Sequence, residues 1–182
     1  MIENSIDQGS FFEHTTSLCF NYHYIFVYYT SMSLLDLVGH TPLYPLSLPF
    51  LGDVTVMAKL EWHNPSGSVK DRAASAMFRE GLEHQHIPHK TLIEATSGNT
   101  GIAFATFGAA LGVPVALALP ENASHERKLL LKQLGVKLHL TSAMEGTDGA
   151  QQFVQALVAK EPDRYFYPDQ YNNEANWKAH YA

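Results

Sequence analysis

The sequence has a single cysteine, no lysine or arginine before Lys59, and no apolar run long enough to cross a bilayer. Each lack excludes something. Cys19 alone cannot close an internal disulfide, which fits a protein of a reducing cytoplasm. An amino terminus without basic residues lacks the n-region of a secretory signal. The apolar stretch Leu18–Tyr29 is interrupted by Asn21 and His23 and falls short of the ~20 residues a membrane span needs. A net charge of −6 argues against a nucleic-acid partner, which calls for a basic face. Repeats, low-complexity tracts and long linkers are also missing.

What remains is an ordinary globular composition, 46% hydrophobic and 16% charged. With 182 residues the chain is long enough for one domain, or one and a fraction. Residues 1–31, with the aromatic cluster Tyr22, Tyr24, Phe26, Tyr28 and Tyr29, read as an extension ahead of the start-like Met32. A strand-like stretch, Val54–Ala58, follows a Gly52-Asp53 turn. Strands and helices then alternate. Val69–His84 is expected to be a helix and Thr91–Ala95 a short buried strand. Gly101–Leu111 is an Ala- and Gly-rich helix stopped by Gly112 and Pro114. Val115–Leu119 is a strand, Arg127–Leu134 a helix opened by Ser124 and Glu126, and Lys137–Thr141 a strand. Asp148–Lys160 is a helix and Tyr165–Tyr167 a last strand. Strands joined by helices of this length imply a parallel sheet built from βαβ units.

Two segments carry chemistry. Asn64-Pro-Ser-Gly-Ser-Val-Lys-Asp-Arg72 places Lys70 in a first helical turn, after a glycine turn and two serines that can cap. A cation there opposes the helix dipole, which favours the neutral amine that a Schiff-base lysine needs. The plain alternative is a solvated lysine paired with Asp71. Thr96-Ser-Gly-Asn-Thr-Gly101 joins a strand to a helix. Its backbone N–H groups and the hydroxyls of Thr96, Ser97 and Thr100 can hold an anion. It matches neither a nucleotide P-loop nor a dinucleotide fingerprint.

Together these segments resemble the fold type II (tryptophan synthase β-like) pyridoxal-phosphate enzymes, in particular the cysteine synthases. The resemblance runs from about Leu37 to Tyr181. It takes in Gly39-His-Thr-Pro-Leu43, Lys59-Leu-Glu61, Asp169-Gln-Tyr-Asn-Asn173 and Asn176-Trp-Lys-Ala-His-Tyr181. Gly67-Ser68 before Val69-Lys70, and the Asp169–Asn173 run, look more like the B-type isoform than the A-type.

The resemblance implies a three-layer αβα fold with a mostly parallel twisted sheet, the small N-terminal domain of such an enzyme with its large domain incomplete. Residues 32–60 would cross to the large domain, 61–168 form the small domain, and 169–182 begin the large-domain portion. It implies that Lys70 carries pyridoxal 5'-phosphate and removes the Cα proton. Thr96, Ser97, Asn99, Thr100 and Gln170 would hold the substrate carboxylate, with Asn99 also reaching the cofactor's ring hydroxyl. The implied reaction is β-replacement on O-acetylserine by sulfide, giving cysteine, or by thiosulfate, giving S-sulfocysteine, in a homodimer. The family's Gly-Thr-Gly-Gly-Thr-like phosphate loop has no counterpart here. If these are all its residues, the chain is expected to bind the cofactor poorly and to be inactive alone. Apolar faces around Leu43–Leu60 would then lack cover.

Two other functions fit the same residues. One is a serine or threonine dehydratase or a cystathionine β-synthase-like enzyme, told apart by the nucleophile consumed. The other is a non-catalytic fragment that binds a partner. His84, His86 and His89 read as a solvated connection rather than a metal site, and Glu126 and Arg127 as helix-solvating residues.

Overall fold

The computed structural model describes residues 33–47 and 49–181. The expected extension at 1–31, its aromatic cluster and Cys19 lie outside the described residues.

Strands β1 (Leu43–Leu46) and β2 (Val56–Lys59) pair antiparallel, Leu46 opposite Val56 and Leu43 opposite Lys59. The second strand begins two residues later than the sequence pattern suggested, because Val54 and Thr55 lie beyond the register in which Leu46 has a partner. The hairpin leaves Leu43, Tyr44 and Met57 exposed among the described residues.

Helix α1 (Lys70–Glu83) leads to β3 (Thr91–Ala95), α2 (Asn99–Leu111), β4 (Val115–Pro120), α3 (His125–Gln133), β5 (Lys137–Thr141), α4 (Gly146–Lys160), β6 (Tyr165–Phe166) and α5 (Glu174–Lys178). The four later strands form one parallel sheet in the order β5-β4-β3-β6. The central strands β3 and β4 are almost wholly buried, so they read as continuous apolar runs rather than alternating ones.

One face of the sheet packs against Ala73, Ala74, Met77 and Phe78 of α1, Ala103, Phe104 and Phe107 of α2, and Leu131 of α3. The other face meets Ala150 and Val154 of α4 through Ile93, Ala95, Ala116 and Ala118. These are the three layers that the family resemblance implied, around the parallel sheet that the alternation of elements implied.

Close helix–sheet approach depends on Gly108, where a Cβ would lie 2.4 Å from Val115 Cγ2 and 2.8 Å from the Val113 carbonyl oxygen. Ala103 and Ala105 share that packing, whereas Ala109 and Ala110 are exposed on the outer side of α2. Helix α2 ends at Gly112, whose φ of +67° suits glycine, with Pro114 beyond it. Ser124 caps α3, its hydroxyl accepting the Arg127 N–H at 3.3 Å.

The five-residue α5 was not legible as a helix. It packs against α1. Asn173 fixes its start: the side-chain oxygen accepts the Ala175 N–H at 2.7 Å, and the amide nitrogen donates to Glu80 at 2.7 Å.

The connections β3–α2–β4 and β4–α3–β5 run outward along one face, and the chain then returns through α4 on the other face to place β6 beside β3. The strand order therefore reverses between β3 and β6. In open α/β sheets the loops leaving the carboxyl ends of strands at such a point spread apart and open a crevice for ligands. Here those loops are Thr96–Gly98 and Tyr167–Asn173.

Candidate active site

Lys70 is the first residue of α1, and the turn before it is held by Asp71. The buried Asp71 carboxylate accepts the Ser66 N–H at 2.6 Å and the Ser66 hydroxyl at 2.5 Å, with weaker contacts from Ser68 at 3.3 and 3.4 Å. Gly67, at φ +87°, makes the reversal possible. Ser68 is the serine that serves the helix start, its hydroxyl accepting the Lys70 N–H at 3.2 Å. Asp71 is thus committed to the turn and does not pair with Lys70. Among the described residues the Lys70 amine makes no ion pair, and its side chain is exposed.

A second brace holds this turn from behind. Glu61 receives Arg72 through two hydrogen bonds, at 2.8 and 3.0 Å, and also accepts the Thr41 hydroxyl at 2.7 Å and the Asn64 amide at 3.0 Å. Arg72 holds the Glu61 carboxyl down to about 2, far below the usual carboxylate range. Lys59 donates to the Thr41 carbonyl. The Gly39–Leu43 and Lys59–Glu61 segments therefore act as scaffold for the Asn64–Arg72 segment.

On the facing wall, α2 begins at Asn99 with Gly98 as its N-cap and no side chain bonded to its first N–H groups. A thirteen-residue helix with uncapped donors at its start offers partial positive charge and free N–H groups to an anion. Thr96 is fixed by its N–H to the Ala118 carbonyl at 3.0 Å, and its hydroxyl accepts the Gly98 N–H at 3.2 Å.

Lys70, Thr96, Asn99, Thr100 and Gln170 all line one cavity of about 500 Å³. Ser97 is half-buried and is not among the lining residues. Gly98 of the same loop and three residues outside it, Arg127, Tyr171 and Asn176, also line the cavity. Arg127, expected to be a helix-solvating residue, lines the cavity because the fold turns the start of α3 towards the crevice. Among the described residues the lining carries Lys70 and Arg127 and no carboxylate, so the cavity favours an anion.

Gln170 reaches the cavity from a turn that starts at Asp169, which holds the left-handed φ of +52°. The Asn172 and Asn173 N–H groups close that turn on the Asp169 carbonyl at 3.0 and 2.9 Å. Among the described residues, no group of three or more His, Cys, Asp or Glu side chains could hold a metal. His86 instead stacks on Phe166 at 5.1 Å.

Residues 34–182 match the family described as pyridoxal-phosphate dependent enzyme. The chain belongs to the pyridoxal-phosphate dependent enzyme family. A cysteine synthase of Aquifex aeolicus (strain VF5) is 56% identical over 156 residues, covering 82% of this chain and 47% of that protein. Cysteine synthase A of Escherichia coli (strain K12) is 42% identical over 144 residues, 79% of this chain and 44% of that one. Cysteine synthase B of Pseudomonas syringae pv. syringae is 41% identical over 153 residues, 82% of this chain and 89% of that one.

The crystal structure of cysteine synthase (OASS) from Entamoeba histolytica superposes with a TM-score of 0.76 at 32% identity, over 91% of this chain and 50% of that one. This member of the pyridoxal-phosphate dependent family spans about half the length of most of these relatives. The residues matched by the family, 34–182, include the lysine turn and the Thr96–Gly101 loop of this chain.

Proposed function

We propose that this chain carries the reaction-centre half of a cysteine synthase, acting in β-replacement on O-acetylserine by sulfide or thiosulfate. The observation that carries this reading is the cavity in which an unpaired lysine amine faces an uncapped helix start and Gln170. The residues present fit the amine-accepting side of pyridoxal 5'-phosphate. Lys70 offers a primary amine on the cavity wall, and Asn99 offers an amide for a ring hydroxyl. When bound, the cofactor supplies an electron sink for the substrate Cα.

The protein's own residues divide the remaining work. The N–H groups of Ser97, Asn99 and Thr100, the hydroxyls of Thr96, Ser97 and Thr100, and the side-chain amides of Asn99 and Gln170 bind and orient the substrate carboxylate. With the cofactor in place, the Lys70 amine on the cavity wall would be the group that accepts the substrate Cα proton. Closure of the loops over the cavity excludes water.

The Gly67-Ser68 turn and the Asp169–Asn173 run support the B-type and its acceptance of thiosulfate, and Arg127 adds a cation suited to an anionic donor. The same reading makes the protein a cytoplasmic homodimer. It places 61–168 in the small domain, with 32–60 and 169–182 leading to a larger one.

Two measurements test it. Brief exposure to pyridoxal phosphate followed by borohydride, read by peptide mass spectrometry, should label Lys70 ahead of the other lysines. Label spread over all lysines with no enrichment at Lys70 would refute its role. In a ¹⁵N-labelled sample, O-acetyl-L-serine should shift the amide signals of Thr96, Asn99, Thr100 and Gln170. Signals that stay fixed would refute the carboxylate site.

A further inference from the structure

Glu94 lies at the penultimate position of β3, fully buried, and no cation pairs with it among the described residues. A buried carboxylate without a cation is costly and needs hydrogen bonds to persist. Its two oxygens have them. Oε1 accepts the Ala95 N–H at 2.8 Å, and Oε2 accepts the Gln170 N–H at 3.0 Å, 76 residues away in sequence.

The rest of Gln170 is held from the same place. Its Nε2 donates to the Ala95 carbonyl at 3.3 Å, and its own carbonyl accepts the Asn176 amide at 2.6 Å. One hydrogen of the Gln170 side-chain amide is thus engaged.

Glu94 therefore connects the two loops that flank the crevice: the strand end leading into Thr96–Thr100, and the turn that presents Gln170 and Tyr171. β6 contributes only two paired residues, Tyr165 and Phe166, and stops short of this level. Among the described residues no backbone ladder extends to the turn, and a side chain makes the connection.

We propose that Glu94 is a positioning residue for the carboxylate site, its carboxylate clamping the Asp169–Tyr171 turn to the end of β3 so that Gln170 and the Thr96–Thr100 loop face one cavity. The proposal rests on the reading of those residues as carboxylate-binding. Its ionisation bears on the clamp, because a protonated carboxyl loses one of its two acceptor positions. Burial pushes Glu94 up to about 7, with the charge of Asp169 acting in the same direction. The Tyr167 hydroxyl, itself raised by burial and by Glu94, is the other group coupled to it. Of the elements packed on β3, β4 and α2 carry no ionisable side chain, β6 carries Tyr165, α4 carries Asp148 and Lys160, and α1, on the Leu92 face, carries Lys70, Asp71, Arg72, Arg79, Glu80 and Glu83.

The test is amide hydrogen exchange on the full ¹⁵N-labelled chain, comparing wild type, Glu94→Ala and Glu94→Gln. The Thr96 N–H, bonded to the Ala118 carbonyl, serves as the internal reference for the sheet. Glu94→Ala should speed exchange at Gln170 roughly tenfold, as expected for losing a bond to a charged acceptor, while Thr96 stays protected. Glu94→Gln, which keeps one acceptor oxygen, should restore part of the protection. In wild type the Ala95 and Gln170 amide shifts should titrate together near neutral pH, and in Glu94→Gln they should not.

Unchanged Gln170 exchange in both variants would overturn the proposal. So would parallel loss at Gln170 and Thr96 in Glu94→Gln, which signals general unfolding; that variant also decides the matter if Glu94→Ala fails to fold. Adding O-acetyl-L-serine separates the two readings. A clamp that passes the exchange test while wild type shows no ligand shifts sinks the carboxylate assignment alone. Ligand shifts with no change in Gln170 exchange sink the clamp alone.

Discussion

Raising the pH from about 4 to about 8 should weaken the fold by about 3 kcal/mol through Glu94 alone. Two opposed effects act on this side chain. The Ala95 and Gln170 N–H groups favour the carboxylate, while complete burial favours the neutral acid. Burial wins and moves the group from the ordinary 4.5 to about 7. The sign follows from linkage. Below the unfolded value both states are protonated and the stability is fully present. Between the two values the unfolded chain releases its proton and the folded chain keeps it, so stability falls as pH rises through about 7. His139 works in the opposite direction. Burial lowers it beneath its ordinary 6.5, so it adds stability as pH rises towards that value. A single pH–stability curve mixes the two, and the decisive quantity is the difference between wild type and Glu94→Gln. Urea unfolding followed by far-UV circular dichroism suits this better than tryptophan fluorescence, because Trp62 and Trp177 are both exposed. The amide variant should gain on wild type by about 2–3 kcal/mol between pH 5 and pH 8, on top of a pH-independent cost of about 1–3 kcal/mol for facing an N–H group with its own NH₂. A difference that stays flat across this range would refute the burial argument for Glu94.

Two further outcomes follow from the scaffold. Gly108→Ala should destabilise by about 1–2 kcal/mol in urea, because crowding against Val115 and the Val113 carbonyl outweighs a helix-propensity gain of about 1 kcal/mol; a neutral or more stable variant would contradict the close approach of α2 to the sheet. Arg72→Met should remove about 1–2 kcal/mol at neutral pH, allowing for solvent screening of a partly exposed pair. Glu61 contributes above about 4.5 and loses that contribution as pH falls through about 2, so the variant should also unfold at a higher pH in acid titration; coincident acid transitions would rule out the Glu61–Arg72 brace.

Much of the fold was legible because its signals are local. Strands Thr91–Ala95 and Lys137–Thr141 are bounded as their apolar runs and flanking turns suggest. The end of α2 follows from Gly112 and Pro114, and the start of α3 from Ser124. The misses have physical causes. β2 shifted because strand limits depend on the partner's register, which one strand does not encode. The α5 helix is too short for a helical period to show, and it rests on packing against α1 and on Asn173, whose partner Glu80 lies 93 residues away. Five of the six residues expected at the site line one cavity, since each sits in a motif with its own local chemistry. Tyr171 and Asn176 lie in runs that carry the family resemblance but have no local chemistry that assigns them to a site, and Arg127 sits in an ordinary helix start.

The Lys70 turn and the Thr96–Gly101 loop were determined by sequence alone, because glycine turns, capping serines and an uncapped helix start are properties of a few adjacent residues. That they form a single site was decided by the tertiary structure. The strand order reverses between β3 and β6, and this brings the turn at Gln170 to the loop after β3. The role of Glu94 was decided there too: in sequence it is one polar residue in a buried strand, and only the fold places the Gln170 N–H within 3.0 Å of its carboxylate.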